Sequence, residues 1–290
     1  MSGGCRHYEN SSAADPLRVG EYVGAVVRSA VSPNCHLSII EHAKSRILPD
    51  HAHDWPFVCV LLRGAYVSRT QSREMEIDNA VAVYHPRAFQ HCDAIGRDGG
   101  LFFGVQLDPA LIAGADPGCR NAARDIARLN NDPAYLILGS LFCELLAGAD
   151  ELALDGLAAE LASALFVGAA PRRGAGPPWL KRIEERLQEE VHVSLAELAR
   201  DAGVHSTTLT RQFRLHKQCS IGEFQARAKA KHAFLGVVGG AAPLAEVSLH
   251  AGYADQSHMT REFKKTFGRG PGAIRRELAR RAFHEEGVEF

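Results

Sequence analysis

The chain has 290 residues, 46% hydrophobic and 23% charged, with a formal net charge of -1, values that suit a folded protein of about two domains and argue against a disordered chain. No stretch approaches the roughly 18 uninterrupted apolar residues of a membrane-spanning helix, and the start, with Cys5, Arg6, His7 and Glu9, lacks an apolar signal core; a cytoplasmic protein with no membrane role is expected. The seven cysteines are odd in number and scattered with no CxxC pair, which disfavours both a disulfide framework and a thiolate zinc site.

From about Leu37 to Asp108 the segments HLSII, FVCVLLRGAYVSRT, EMEI, AVAVYHP and LFFGVQL are short, β-branched and aromatic, with turn residues between them. They predict a small β-barrel or sandwich. From about Asp116 to Val167 the stretches DPAYLILGSLFCELLAGA and ELALDGLAAELASALFVG are rich in Ala and Leu, predicting helices that pack on the sheet or against a second subunit. Residues 168–178, GAAPRRGAGPP, have the composition of a linker. An α+β chain follows, with a sensor barrel at 1–115, a helical dimerisation or packing segment at 116–167, a linker at 168–178 and an all-helical domain at 179–281.

The helical domain repeats itself. SLAELARDAGV at Ser194 to Val204 aligns with PLAEVSLHAGY at Pro243 to Tyr253 at an offset of 49, and after one inserted residue Leu209, Thr210, Arg211 and Phe213 align with Met259, Thr260, Arg261 and Phe263. A duplicated unit is stronger than any single match. Each copy reads as a short helix, a turn through Gly203 or Gly252, and a second helix, the layout of a helix-turn-helix. The units are expected at 195–216 and 244–267. Ser194 with Glu197 and Ser220 with Glu223 have capping-box spacing, Pro243 suits a first helical turn, and Asp255 suits a cap.

The second helix of each copy, at 206–216 and 256–267, is two-faced. Leu209 and Phe213, and then Met259, Phe263 and Phe267, form the apolar stripe. Thr207, Thr210, Arg211 and Arg214 stand opposite in one copy, and Gln256, Ser257, Thr260, Arg261 and Lys264 in the other. Arg and Gln can contact guanine and adenine edges bidentately, while Arg214, Lys264 and Lys265 suit phosphates. Charge agrees: Gly203 to Arg281 holds 14 Lys/Arg against 5 Asp/Glu, an excess that suits a phosphate-binding surface.

From Trp179 to about Arg280 the chain resembles the AraC/XylS-type transcription regulators. The stretch GYADQSHMTREFKKTFGRGPGAIRR, at Gly252 to Arg276, is similar to that family's second helix-turn-helix and its G-x-x-P-x-x-x-R ending, here Gly268, Pro271 and Arg275. The resemblance implies two units joined by a linker helix that enter successive major-groove segments of double-stranded DNA. It implies contacts from Thr207, Thr210 and Arg211, and from Gln256, Ser257, His258, Thr260 and Arg261. Gly236, Gly239 and Gly240 depart from the family's linker helix, and the cost of helical glycine predicts a looser joint between the units.

His51, His53, Gly64, Pro86 and His91 resemble the two motifs of cupin barrels, with Phe57 at the position of the metal-binding Glu. The resemblance implies a cupin-like barrel that binds an effector or mediates homodimerisation, with RNA polymerase a candidate partner. Trp55, Phe57 and Phe103 are the expected pocket walls, and His51, His53, Arg69 and His91 the polar anchors. No cofactor, metal or catalytic residue is expected; His51, His53 and His91 are the candidates for a metal, with Asp54, Asp93 or water completing its shell. The alternative is a metal-dependent cupin enzyme with a helical appendage.

Overall fold

The computed structural model describes residues 16–77, 81–114, 124, 126–129, 131–165, 176–190, 192–240 and 242–282. Most of the expected linker, at 168–175, and the segment 115–123 lie outside the described residues. The strands are β1 (Ala25–Ser32), β2 (Cys35–His42), β3 (Ile47–His51), β4 (Phe57–Arg69), β5 (Glu74–Ile77), β6 (Ala82–His85), β7 (His91–Leu107) and β8 (Ala127–Arg128). The helices are α1 (Pro109–Ala113), α2 (Asp132–Ala147), α3 (Glu151–Leu165), α4 (Trp179–Glu189), α5 (Leu195–Ala202), α6 (Ser206–Lys217), α7 (Ile221–Gly239), α8 (Leu244–His250), α9 (Gln256–Phe267) and α10 (Pro271–Ala282). The expected α+β class is what the chain adopts.

The two long strands β4 and β7 pair antiparallel along their length and form the spine of the sheet. At one end β2 pairs the second half of β7, and β6 pairs the start of β4. At the other end β3 pairs the first half of β7, and β5 pairs the end of β4. The register breaks midway, between Leu61 and Arg63 and again between Gly64 and Tyr66. Gly64 has φ 103° there, and a Cβ on it would collide with the carbonyl oxygen of Gly99, so only glycine fits where the two strands bend together.

Alternation along these strands sends side chains to two different cores. Leu37, Ile39, Val58, Val60, Phe103 and Val105 face the helices, whereas Ile40, Phe57, Cys59, Leu61 and Phe102 face the opposite side of the sheet. Both faces are buried, which is why the strand sequences read as nearly continuous apolar runs.

Helix α2 is apolar around most of its girth because it is covered from both sides. Leu138, Leu141, Phe142 and Leu145 are buried in the cluster that holds the sheet residues, and the same cluster contains Phe234 of α7 and Met259, Phe263 and Phe267 of α9. Gly139 of α2 leaves room for the Phe267 ring, against which a Cβ would press. Polar ties span the same seam: Lys231 pairs with buried Asp132 at 3.2 Å and lies 4.5 Å from the Tyr135 ring centroid, and Arg28 pairs with Glu277 at 3.3 Å. The stripes of α2 and α3 thus serve as intramolecular core. A separate cluster of Leu180, Ile183, Leu187, Leu198, Leu209 and Phe213 holds α4, α5 and α6 together.

Candidate functional site

On the sheet face away from the helices, His42, His51, His53, His85, His91 and Asp93 line a cavity of about 40 Å³ together with Tyr22, Phe57 and Phe102. The backbone sets their places. His51 and His91 are register partners between β3 and β7, His85 stands opposite Phe57 between β6 and β4, and His53 is held by a bridge to Leu17 and by an Ala88 amide that donates to its carbonyl at 2.8 Å. His53, His85 and His91 are 3%, 2% and 2% exposed. His51–His91 and His85–His91 ring centroids lie 4.2 and 4.6 Å apart.

Four of the sequence-predicted effector residues, His51, His53, Phe57 and His91, line this cavity. Three do not. Phe103 points the other way, into the helix-facing core, where its ring meets Phe142 at 5.2 Å; its neighbour Phe102 is the wall, because adjacent strand residues face opposite sides. Arg69 lies beyond the cavity and pairs with Glu74 at 2.6 Å. Trp55 sits half-buried in the bend after β3 and is not among the lining residues. Sequence reasoning missed His42 and His85, each the last residue of its strand; the Tyr84-His85-Pro86 run carried the signal.

Burial pushes the His53 and His85 pKa values well below the ordinary value, with neighbouring histidines adding to the effect. His91 is lowered by burial against the pull of Asp93, and burial takes His42 to about 4. These rings are neutral in the folded chain at neutral pH. Below about pH 6.5 the unfolded chain takes up protons that the folded chain refuses, so stability is complete above the unfolded value and falls as the pH drops below it. For metal-free protein the urea midpoint is expected to be lower at about pH 5.5 than at about pH 7.5. His85→Phe should flatten that slope; equal midpoints for the parent protein would contradict the assignment.

The helical domain builds two exposed faces. Ser194 accepts from the Glu197 amide while Glu197 accepts from the Ser194 amide, closing a capping box on α5, and Ser220 with Glu223 repeats it on α7. Gly203 ends α5 with φ 66°, and Asp255 caps α9 by accepting from the His258 amide at 2.7 Å. Pro243 occupies the N-cap of α8, one position before the first-turn place that its sequence suggests. His205 caps α6, its Nδ1 accepting from the Thr207 amide at 3.4 Å.

Leu209, Phe213, Met259 and Phe263 are fully buried, and the residues opposite them face outward. Thr207, Thr210, Arg211 and Arg214 of α6 and Gln256, Ser257, Arg261, Lys264 and Lys265 of α9 are exposed, while His258 and Thr260 are partly so. The His258 ring stands edge-on to Tyr253 at 5.3 Å, and the Thr210 hydroxyl donates back to the Ser206 and Thr207 carbonyls at 3.1 Å. Among the described residues, none forms an ion pair with Arg211, Arg214, Arg261, Lys264 or Lys265.

Residues 198–277 match the family model described as a helix-turn-helix domain. The C-terminal domain is an AraC-type helix-turn-helix domain. A transcriptional activator, NphR, from Rhodococcus sp is 31% identical over 105 residues, which cover 35% of this chain and 31% of that protein. A probable transcription factor, PqrA, from Proteus vulgaris is 27% identical over 96 residues, covering 33% of this chain and 79% of that protein. The chain thus spans about a third of the length of the first of these relatives. Among solved structures, fatty-acid-bound ToxT from Vibrio cholerae is 11% identical with a TM-score of 0.37, over 84% of this chain and 95% of that one. The C-terminal domain of AraT from Geobacillus stearothermophilus is 22% identical with a TM-score of 0.32, over 34% and 84%. Superpositions this loose add nothing to the assignment, which rests on the sequence match.

Inside the AraC-type domain the linker helix departs from the looseness expected of its glycines. Helix α7 runs unbroken from Ile221 to Gly239. At Gly236 a Cβ would stand 2.8 Å from Val247 Cγ1, so this glycine lets α8 approach α7 closely rather than weakening the joint. Arg275 then ties down the helix end: its guanidinium donates to the carbonyls of Gly236 at 3.0 Å, Val237 at 3.3 Å, and Ala242. Carbonyls that a helix C-terminus leaves unpaired are thereby satisfied by a cation, which the helix dipole also favours. Ile274, beside it, is fully buried.

Proposed function

We propose that the chain is a sequence-specific, double-stranded DNA-binding transcription regulator that lays α6 and α9 in successive major-groove segments and acts without catalytic residues. The observation that carries this reading is the pair of helices that bury an apolar stripe and present a Thr-Arg pair on the opposite face, Thr210-Arg211 and Thr260-Arg261, with both arginines exposed, inside the matched domain. Arg211 and Arg261, with Gln256, read base edges. Thr207, Ser257 and His258 supply adaptable contacts, and Arg214, Lys264 and Lys265 hold phosphates. Residues 1–115 form the cupin-like sensor domain, the helices within 116–167 pack it against residues 179–281, and a small effector sets its activity in the cytoplasm.

A mobility-shift titration against the promoter of an adjacent operon tests this. Arg211→Ala and Arg261→Ala are each expected to weaken binding by about 1–3 kcal/mol, roughly 5- to 150-fold, and to relax preference at one base position. Lys264→Ala should instead weaken all sequences alike and reduce the salt dependence by about one counterion. Binding that ignores both arginines and salt would contradict the proposal.

A further inference from the structure

We propose that His51, His53 and His91 hold a divalent first-row transition ion of the zinc kind, so that the small ligand of the N-terminal sheet is a metal ion. One ring nitrogen from each of the three lies within 4.8 Å of those of the other two. A tetrahedral ion with bonds of about 2.0–2.1 Å needs nitrogens about 3.3 Å apart, a closure that small side-chain rotations supply.

The rings are already oriented from behind. His51 Nδ1–H donates to the Pro49 carbonyl at 2.8 Å and His91 Nδ1–H to the Phe89 carbonyl at 3.2 Å. Carbonyls in this outer position fix the tautomer and leave Nε2 as the lone-pair nitrogen, the arrangement around ligating histidines generally. Had these residues been a hydrogen-bonded polar core, each buried polar atom should have found a partner. Instead His53 Nδ1 and Asp93 Oδ1 are buried without one. The other Asp93 oxygen stands 3.7 Å from His91 Nε2, which gives the fourth coordination position to this carboxylate or to a water it holds.

Size and donor type narrow the ligand. A cavity of about 40 Å³ has room for an ion and a water or two, against the roughly 300–1,000 Å³ of sites for organic ligands. Three imidazoles suit zinc, iron, nickel or copper and disfavour magnesium or calcium, which take oxygen ligands.

Full-length protein without a histidine tag, stripped with a chelator, is to be titrated with cobalt(II) and then zinc(II). One saturable equivalent of cobalt per chain is expected, with the visible bands of a low-coordinate nitrogen site, displaced by one equivalent of zinc. His53→Ala and His91→Ala should each weaken zinc binding by at least about 100-fold, while His250→Ala, on the exposed end of α8, leaves it unchanged. Because the pocket variants lie in the core, zinc-loaded parent protein is also to be examined by X-ray absorption, where three imidazoles per zinc are expected. The absence of a saturable equivalent would overturn the proposal. So would one imidazole or none, or an equivalent that survives His53→Ala with His91→Ala in protein retaining its circular dichroism. No DNA enters these measurements, so their failure would leave the DNA-binding reading standing.

Discussion

Phe142→Ala is expected to lower stability by about 3–5 kcal/mol and to loosen the sheet and the second helix-turn-helix unit together. Its ring is fully buried and stands edge-on to Phe103 of β7 at 5.2 Å and to Phe234 of α7 at 5.9 Å. Phe234 in turn meets Phe267 of α9 at 5.4 Å. Loss of the ring opens a cavity where the sheet, α2 and α7 meet. Urea unfolding should show a lower midpoint in one cooperative transition. Amide exchange should accelerate in β7 and α9 alike; faster exchange in only one of them would mean that the two regions do not share a core.

Phe213→Ala carries a loss of similar size, about 3–5 kcal/mol by the same reasoning, but it falls elsewhere. Phe213 is fully buried in the cluster of α4, α5 and α6 and stacks edge-on with Phe224 at 5.5 Å. The first unit should open on its own, with amide exchange rising across α4 to α6 while β7 and α9 keep their protection. On the proposed function, DNA affinity should then fall toward that of one unit. Exchange that rises uniformly through the chain would instead indicate a single folding unit.

The helical half was legible because its signals are local. Capping boxes at Ser194 and Ser220 have fixed spacing, the repeat displays each unit twice, and a helix with one wet face writes a 3.6-residue period that assigns Leu209 and Arg211 to opposite sides. The sheet gave up less. With both faces buried, Leu101-Phe102-Phe103 carries no polar alternation to say which phenylalanine faces which core, and a slip of one residue exchanged Phe103 for Phe102. His85 and His42 come to the pocket only through pairings between strands far apart in the chain. Gly236 was misread for another reason: helix propensity counts its intrinsic cost, whereas its value lies in the approach of Val247, a tertiary fact.

Helix α7 has 19 residues, which at 1.5 Å per residue makes a rod about 28 Å long. One of its ends is seated in the core of the first unit and the other in that of the second, with Arg275 locking the latter. On the proposed reading this rod is a ruler. Successive major-groove faces of B-DNA recur about every 34–36 Å, and a protein that spans them with a stiff rod tolerates little variation in the spacing of its two half-sites. One base pair inserted between the half-sites would turn the second away from its helix, so operator spacing is constrained by the length of a helix that itself reads no base.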